Sequence, residues 1–160
     1  MRTPTWVLLA LTSGIALPPL LLAGDSGGRA HYIGGTVTAL PSPSEGSIHT
    51  TDEEFFLFRT KSDAAEPSLR VPYGKIRNIE YGQRVNRRYI SAILISPLML
   101  LAKKRRHYLT VGYTDQEGRP QALVFEVSKG AVRSVLVSLE AKTGLRVEFQ
   151  DEEARKAGKG

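Results

Sequence analysis

Three histidines and two runs of carboxylates are the residues of this chain best suited to catalysis or metal binding. His31, His49 and His107 are far apart, and no two of them have the short helical spacing of a zinc site. The two carboxylate runs lie at the boundaries of predicted elements: Asp52 to Glu54 precede a strand, and Asp151 to Glu153 begin the tail. These positions account for the runs better than general acid-base catalysis does. No serine lies in a nucleophile-elbow motif, and no glycine-rich stretch is followed by the lysine of a phosphate loop. We therefore expect no enzyme activity, no metal site and no cofactor.

The most distinctive feature of the sequence is an apolar stretch with cations on both sides. The stretch runs for 14 residues from Tyr89 to Ala102, and no acidic residue lies between Glu80 and Asp115. The whole chain has a net charge of +6, so the seven flanking cations account for all of its basicity. These cations are Arg84, Arg87, Arg88, Lys103, Lys104, Arg105 and Arg106.

Residues 85–106, which we call the insert, are longer than a simple turn between strands but too short to span a bilayer. A helix of 14 residues is about 21 Å long, whereas the hydrocarbon core of a bilayer is about 30 Å thick. Pro97 also interrupts a continuous helix. Two alternatives remain: the stretch packs on the protein core, or it contacts lipid or a partner protein. The apolar residues that we expect at such a contact are Ile93, Leu94, Leu98 and Leu101.

Cations beside an apolar stretch favour an anionic membrane as the partner. Each Lys or Arg near such a surface contributes about 1 kcal/mol of attraction. Nucleic acid is a poorer match, because few aromatic side chains interleave with the cations. The sequence thus predicts a binding module that contacts an anionic membrane surface through the insert and the seven cations. The alternative is a protein-interaction or assembly module, in which a partner or a second subunit buries the same insert.

The first 30 residues have the pattern of an export signal. Arg2 supplies a positive start, the segment from Trp6 to Ala16 is almost wholly apolar, and small residues follow. Cleavage after Ala23 or after Ala30 fits this pattern and predicts a periplasmic or secreted protein. An uncleaved membrane anchor is the competing interpretation, since 19 residues from Thr5 to Ala23 approach the length of a span. The chain has no cysteine, so it has neither disulfides nor a lipoprotein cysteine.

Several short runs after the leader alternate apolar and polar residues with the period of half-buried strands. They begin with Gly35 to Leu40 and include the aromatic run from Phe55 to Phe58. Leu109 to Tyr113 and Leu123 to Val127 alternate on either side of a loop in which Gly118 can take a positive φ, which predicts a hairpin.

The period then changes to that of a helix. Apolar residues recur on one face, and the spacing predicts a helix from about Lys129 to Thr143, with Ser128 as its cap and Gly144 at its left-handed end. The apolar face consists of Val132, Val135, Leu136 and Leu139.

The phrase LRVPYGKIRNIEY from Leu69 to Tyr81, the late hairpin and the single closing helix resemble bacterial pleckstrin-homology-like domains of the GRAM type. The resemblance covers residues 33–149, and the YGQ phrase at Tyr81 with the insert is similar to a group of small exported bacterial proteins of unknown function. It implies a mainly β fold, a small open barrel or sandwich closed by one carboxy-terminal helix. Such domains bind lipids, peptides or proteins, so the fold does not choose among these partners. We expect a leader at residues 1–30, the β domain at 31–150 and a flexible charged tail at 151–160.

Overall fold

A computed structural model describes residues 28–37, 40–62, 67–84 and 106–159 of the chain. The leader before residue 28 and the insert up to residue 105 therefore lie outside the described residues. The described elements are β1 (Gly28–Gly35), β2 (Ser44–His49), β3 (Phe55–Thr60), β4 (Leu69–Pro72), a 3-10 turn (Tyr73–Lys75), β5 (Ile76–Gly82), β6 (Tyr108–Thr114), β7 (Pro120–Val127), α1 (Lys129–Thr143), β8 (Glu148–Phe149) and α2 (Glu152–Lys159).

The strands form one mixed sheet in the order β4-β3-β2-β1-β7-β6-β5-β8. Neighbouring strands are antiparallel except β8, which runs parallel to β5. The predicted mainly β fold is confirmed. The sheet is not closed into a barrel, because β4 and β8 remain its two edges.

Strand alternation gives this sheet two faces, which we call the front face and the back face. On the front face, Tyr32, Phe58 and Phe125 pack together, with 5.1 Å between the ring centroids of Phe58 and Phe125. Both helices lie on this face. A Cβ atom placed on Gly28 would touch Val135 of α1, and one placed on Gly158 of α2 would touch Phe149.

Helix α1 covers the front face with the four residues predicted to do so, and all four are buried. It spans the predicted range and ends at Gly144, whose φ of 71° is the left-handed conformation that favours glycine. The side chain of Ser128 does not cap the helix, contrary to the prediction. Instead, the carbonyl of Ser128 accepts a hydrogen bond from the N–H of Ala131 at 2.8 Å.

The predicted hairpin of β6 and β7 is confirmed, with Gly118 at a φ of 81° in its loop. Asp115 holds the loop by accepting a hydrogen bond at 2.8 Å from the backbone N–H of Arg119. The first strand differs from the prediction: β1 covers Gly28–Gly35, whereas Gly35 to Leu40 was the expected strand. The predicted domain boundary at residue 30 falls inside β1.

The tail contains a helix that the sequence analysis did not predict. Glu152–Lys159 form α2, in which Ala154 is fully buried. Asp151 starts this helix by accepting a hydrogen bond from the N–H of Ala154 at 2.6 Å. Two small residues on one side, Ala154 and Gly158, let α2 approach the front face closely enough to be held there.

Candidate binding surface

The insert connects two neighbouring antiparallel strands. Gly82 at the end of β5 pairs directly with Tyr108 at the start of β6, so the two strands that the insert joins lie one strand spacing apart. Of the predicted contact residues, the structure describes Arg84, which is exposed, and Arg106, which is half-buried. The others lie outside the described residues; they are Arg87, Arg88, Ile93, Leu94, Leu98, Leu101, Lys103, Lys104 and Arg105.

Arg106 is fixed to the back face of the sheet by an ion pair. Its Nη1 lies 2.5 Å from Oε2 of Glu126 on β7. The hydrogen bond and the negative charge of Glu126 raise the pKa of the Arg106 guanidinium, opposed weakly by burial. The charge of Arg106 is therefore largely compensated within the protein, whereas Arg84 is exposed to solvent.

The next residue, His107, is fixed to the front face. Its ring lies nearly parallel to that of Tyr81, with 6.1 Å between the ring centroids, and its Nδ1 is 2.5 Å from the Tyr81 hydroxyl. Burial, with a smaller contribution from the charge of Lys129, lowers the pKa of His107 and so favours the neutral imidazole. Burial raises the pKa of Tyr81 to about 12, so its hydroxyl stays protonated and can donate to the imidazole.

The leader joins the sheet at the same end as the insert. The carbonyl of Arg29 at the start of β1 accepts a hydrogen bond from the N–H of Ser128 at 2.9 Å. The N–H of Val127 at the end of β7 donates to the carbonyl of His107 at 2.7 Å. Since β1 and β6 flank β7, the start of β1 and the end of the insert are about 10 Å apart across the sheet.

The charges around this end of the sheet are divided between its two sides. Arg29 and Lys129 are exposed on the side of β1 and β7, and Arg84 is exposed where the insert begins. Acidic residues lie on the other side, where Gln150 binds the carbonyl of Tyr81 and Asp151 to Glu153 follow it. Arg29 and Lys129 are therefore the exposed cations on the side of β1 and β7, whereas Arg84 follows β5 next to β8.

The back face of the central strands is buried, although both described helices lie on the front. Val124 has no exposed area, and Ile33, Thr110 and Ala122 are also buried. None of these four belongs to the hydrophobic cluster of the front face. Among the described residues, no helix or strand lies over this part of the sheet.

A polar groove lies between α2, β8 and the end of α1. Two of its carboxylates bind backbone within the protein: Glu140 accepts from the N–H of Val147 at 2.9 Å, and Asp151 caps α2. The remaining charges are mixed in sign, since Arg146, Arg155 and Lys159 share the groove with Glu152. This mixture does not favour one charge of ligand.

Within the described residues, no cluster of three or more His, Asp or Glu side chains is arranged to hold a metal ion. The helices in this part of the chain are too short or too polar to cross a membrane. Comparison with models of known protein families and with curated proteins finds no match for the chain.

Proposed function

We propose that the chain is an exported binding module without catalytic activity, and that it contacts an anionic membrane surface through the insert. The observation that carries this proposal is the common position of the leader and the insert at one end of the sheet. The start of β1, the start of β6 and the end of β5 lie at the same end of the sheet, with β7 between β1 and β6. The two most apolar segments of the sequence therefore join the domain at one end.

This arrangement would keep the insert near the lipid while the leader is still in the membrane. Exposed cations at the same end, Arg29, Arg84 and Lys129, add to those of the insert and would face the same surface. Their attraction for acidic headgroups decreases as salt increases, whereas the apolar contact of the insert does not depend on salt.

For the fold, we propose a pleckstrin-homology-like domain. Seven strands with antiparallel neighbours are followed by a helix that covers the front face, and this order supports the resemblance of the sequence. In this proposal the insert is an addition to the connection between β5 and β6.

The test is co-sedimentation of the protein, purified from an exporting cell, with vesicles that contain phosphatidylglycerol. Replacing Arg84 and Arg105 by Ala should weaken binding by about 2 kcal/mol at low salt and reduce its salt dependence. Replacing Leu98 and Leu101 by Ser should weaken binding at every salt concentration.

A matched control is the double variant Lys75→Ala and Arg77→Ala. It removes two exposed cations from the opposite end of β5 and changes the net charge equally. We expect its vesicle binding to remain that of the wild type. Equal weakening by the two charge variants would mean that net charge alone drives binding. A wild-type protein that ignores anionic vesicles and forms an oligomer would favour the protein-interaction alternative.

A further inference from the structure

Two arginines and a serine, which we call the arginine row, lie side by side across β1, β2 and β3. Arg29 on β1 is directly opposite Ser47 on β2, and Ser47 is directly opposite Arg59 on β3. Residues that are opposite each other in an antiparallel sheet point to the same side, so all three side chains lie on one face. Their neighbours Ile48 and Phe58 belong to the hydrophobic cluster of the front face. The arginine row is therefore on the back face, on the other side of the sheet from α1.

The two arginines of this row have no acidic partner. Among the described residues, no carboxylate forms an ion pair with Arg29 or Arg59. The side chain of Arg59 is half-buried, and its Nε has no hydrogen-bond partner in this part of the chain. A partly buried guanidinium without a partner favours an anion as its ligand, because desolvation of its donors is otherwise uncompensated.

The acidic residues of the next row do not compensate these arginines. That row contains the carboxylates Glu126 and Glu45, on either side of β1. Glu126 forms an ion pair with Arg106, and Glu45 forms one with Lys61. The hydrogen bond and the charge of Lys61 lower the pKa of the Glu45 carboxyl most, whereas the charge of Arg29 contributes least. The back face of β1 to β3 therefore keeps an excess of positive charge at the arginine row.

Ser47 lies between the two arginines and can supply a further donor. Its Oγ is 2.7 Å from Nε2 of His49, which is two residues along the same strand and on the same face. When Nε2 carries the proton, the ring donates to Ser47 and leaves the serine hydroxyl to donate to a ligand. Adjacent strands are about 4.8 Å apart, so the backbones of Arg29 and Arg59 are roughly 10 Å apart with Ser47 midway. Both arginine side chains are long enough to reach an anion above Ser47.

We propose that the arginine row binds a phosphate group, either a free phosphate ion or the phosphate of a lipid headgroup. Each planar guanidinium can donate a pair of parallel hydrogen bonds, and a phosphate has enough acceptor oxygens for two such groups and a hydroxyl. Arg29 is exposed, and Ser47 is half-buried like Arg59. The inference goes beyond the proposed function and stands without it, because the row contains no residue of the insert and a phosphate ion needs no bilayer.

The test is titration of the protein, purified from an exporting cell, with inorganic phosphate while the amide resonances of its NMR spectrum are recorded. We expect saturable shifts at Arg29, Ser47 and Arg59 that sodium chloride at equal ionic strength does not reproduce, because general screening acts on all exposed charges. Arg29→Gln and Arg59→Gln should each raise the Kd for phosphate roughly tenfold or more, because each removes charge-assisted hydrogen bonds to the anion.

Matched variants separate the arginine row from net charge. Arg77→Gln removes an exposed cation of β5 with the same change of charge and should leave the Kd for phosphate unchanged. Arg59→Lys keeps the charge but loses the planar guanidinium, so its affinity should lie between those of the wild type and Arg59→Gln. Ser47→Ala should raise the Kd about two- to tenfold, and it provides an independent test if Arg59→Gln does not fold.

Vesicles that contain phosphatidylglycerol distinguish the two sources of the phosphate group. If Arg59→Gln weakens vesicle binding more than Arg77→Gln does, the lipid headgroup is a ligand of the row. If Arg59→Gln weakens only the binding of inorganic phosphate, the ligand is a free phosphate ion.

Two results would overturn the inference. They are the absence of saturable shifts in the wild-type protein and an equal Kd for phosphate in the wild type, Arg59→Gln and Ser47→Ala. A protein that binds phosphate at the arginine row but ignores anionic vesicles would contradict the proposed function and support this inference.

Discussion

At the scale of single residues, Arg106 and His107 attach the end of the insert to both faces of the sheet. Both residues directly precede β6, and Arg106 meets Glu126 on the back face while His107 meets Tyr81 on the front. Each contact joins residues 20 or more positions apart. The insert therefore returns to the sheet at a fixed position, whatever surface it contacts beyond Arg106.

We predict that His107 makes the protein less stable in mild acid. Burial lowers the pKa of His107 in the folded state below its ordinary value of 6.5, so the unfolded chain binds a proton first as the pH falls. Stability contributed by the neutral ring is complete above about pH 6.5 and is lost below it, as protonation also removes the acceptor for the Tyr81 hydroxyl. Urea unfolding at pH 7.5 and pH 5 should show a smaller loss for His107→Gln than for the wild type.

Glutamine is the chosen replacement because its side-chain oxygen can still accept from Tyr81 but does not titrate in this range. The difference between the two proteins isolates His107 from the other titrating groups. Equal losses of stability between pH 7.5 and pH 5 would show that His107 is not responsible.

At the scale of elements, helix α1 has one face packed against the sheet and one face exposed to solvent. Leu136 is 4% exposed against the sheet, while its neighbour Val137 is 56% exposed. These consecutive residues are about 100° apart on the helix, which places them on different sides of the packed surface.

The pair provides a matched test of this packing. Leu136→Ala should lower the free energy of unfolding by about 2 to 5 kcal/mol, through lost burial and the cavity left behind. Val137→Ala removes apolar atoms that are already in water and should change stability by no more than about 0.5 kcal/mol. Chemical denaturation of both variants measures this difference, and similar midpoints would contradict the orientation of α1.

At the scale of the whole molecule, the sheet restricts where the leader can be removed. Cleavage after Ala30 would delete the first three residues of β1, where Ala30 is fully buried and pairs with Val127. It would also remove Arg29, whose carbonyl accepts from Ser128 at the start of α1. Each lost backbone hydrogen bond costs about 0.5 to 1.5 kcal/mol.

We therefore predict that the mature protein from an exporting cell begins at Gly24. Cleavage after Ala23 fits the signal pattern and leaves β1 intact. Amino-terminal sequencing or intact mass measurement of the purified protein tests this. A mature chain that begins at His31 would contradict the argument from β1, and an intact Met1 would favour an uncleaved anchor.

Local patterns in the sequence determined the elements whose signals are complete within a few residues. The β6-β7 hairpin depends on alternation and a glycine with positive φ, and α1 depends on apolar residues three or four positions apart. The start of the first strand was missed because Gly28–Ala30 follow the apolar segment of the leader and were assigned to the leader itself. The carboxy-terminal helix was missed because most of its residues are charged and only two small residues, Ala154 and Gly158, contact the domain. Two small residues do not form a recognisable apolar face in the sequence.

Only the tertiary structure decided which distant segments meet. Alternation predicts that a strand is half-buried but does not name its neighbour, so the pairing of β1 with β7 and the parallel pairing of β8 with β5 could not be inferred. The same holds for the contacts of Arg106 and His107 and for the burial of Val124 on the back face. The burial of a side chain depends on which distant segments pack against it. The local spacing of residues in the sequence does not specify those contacts.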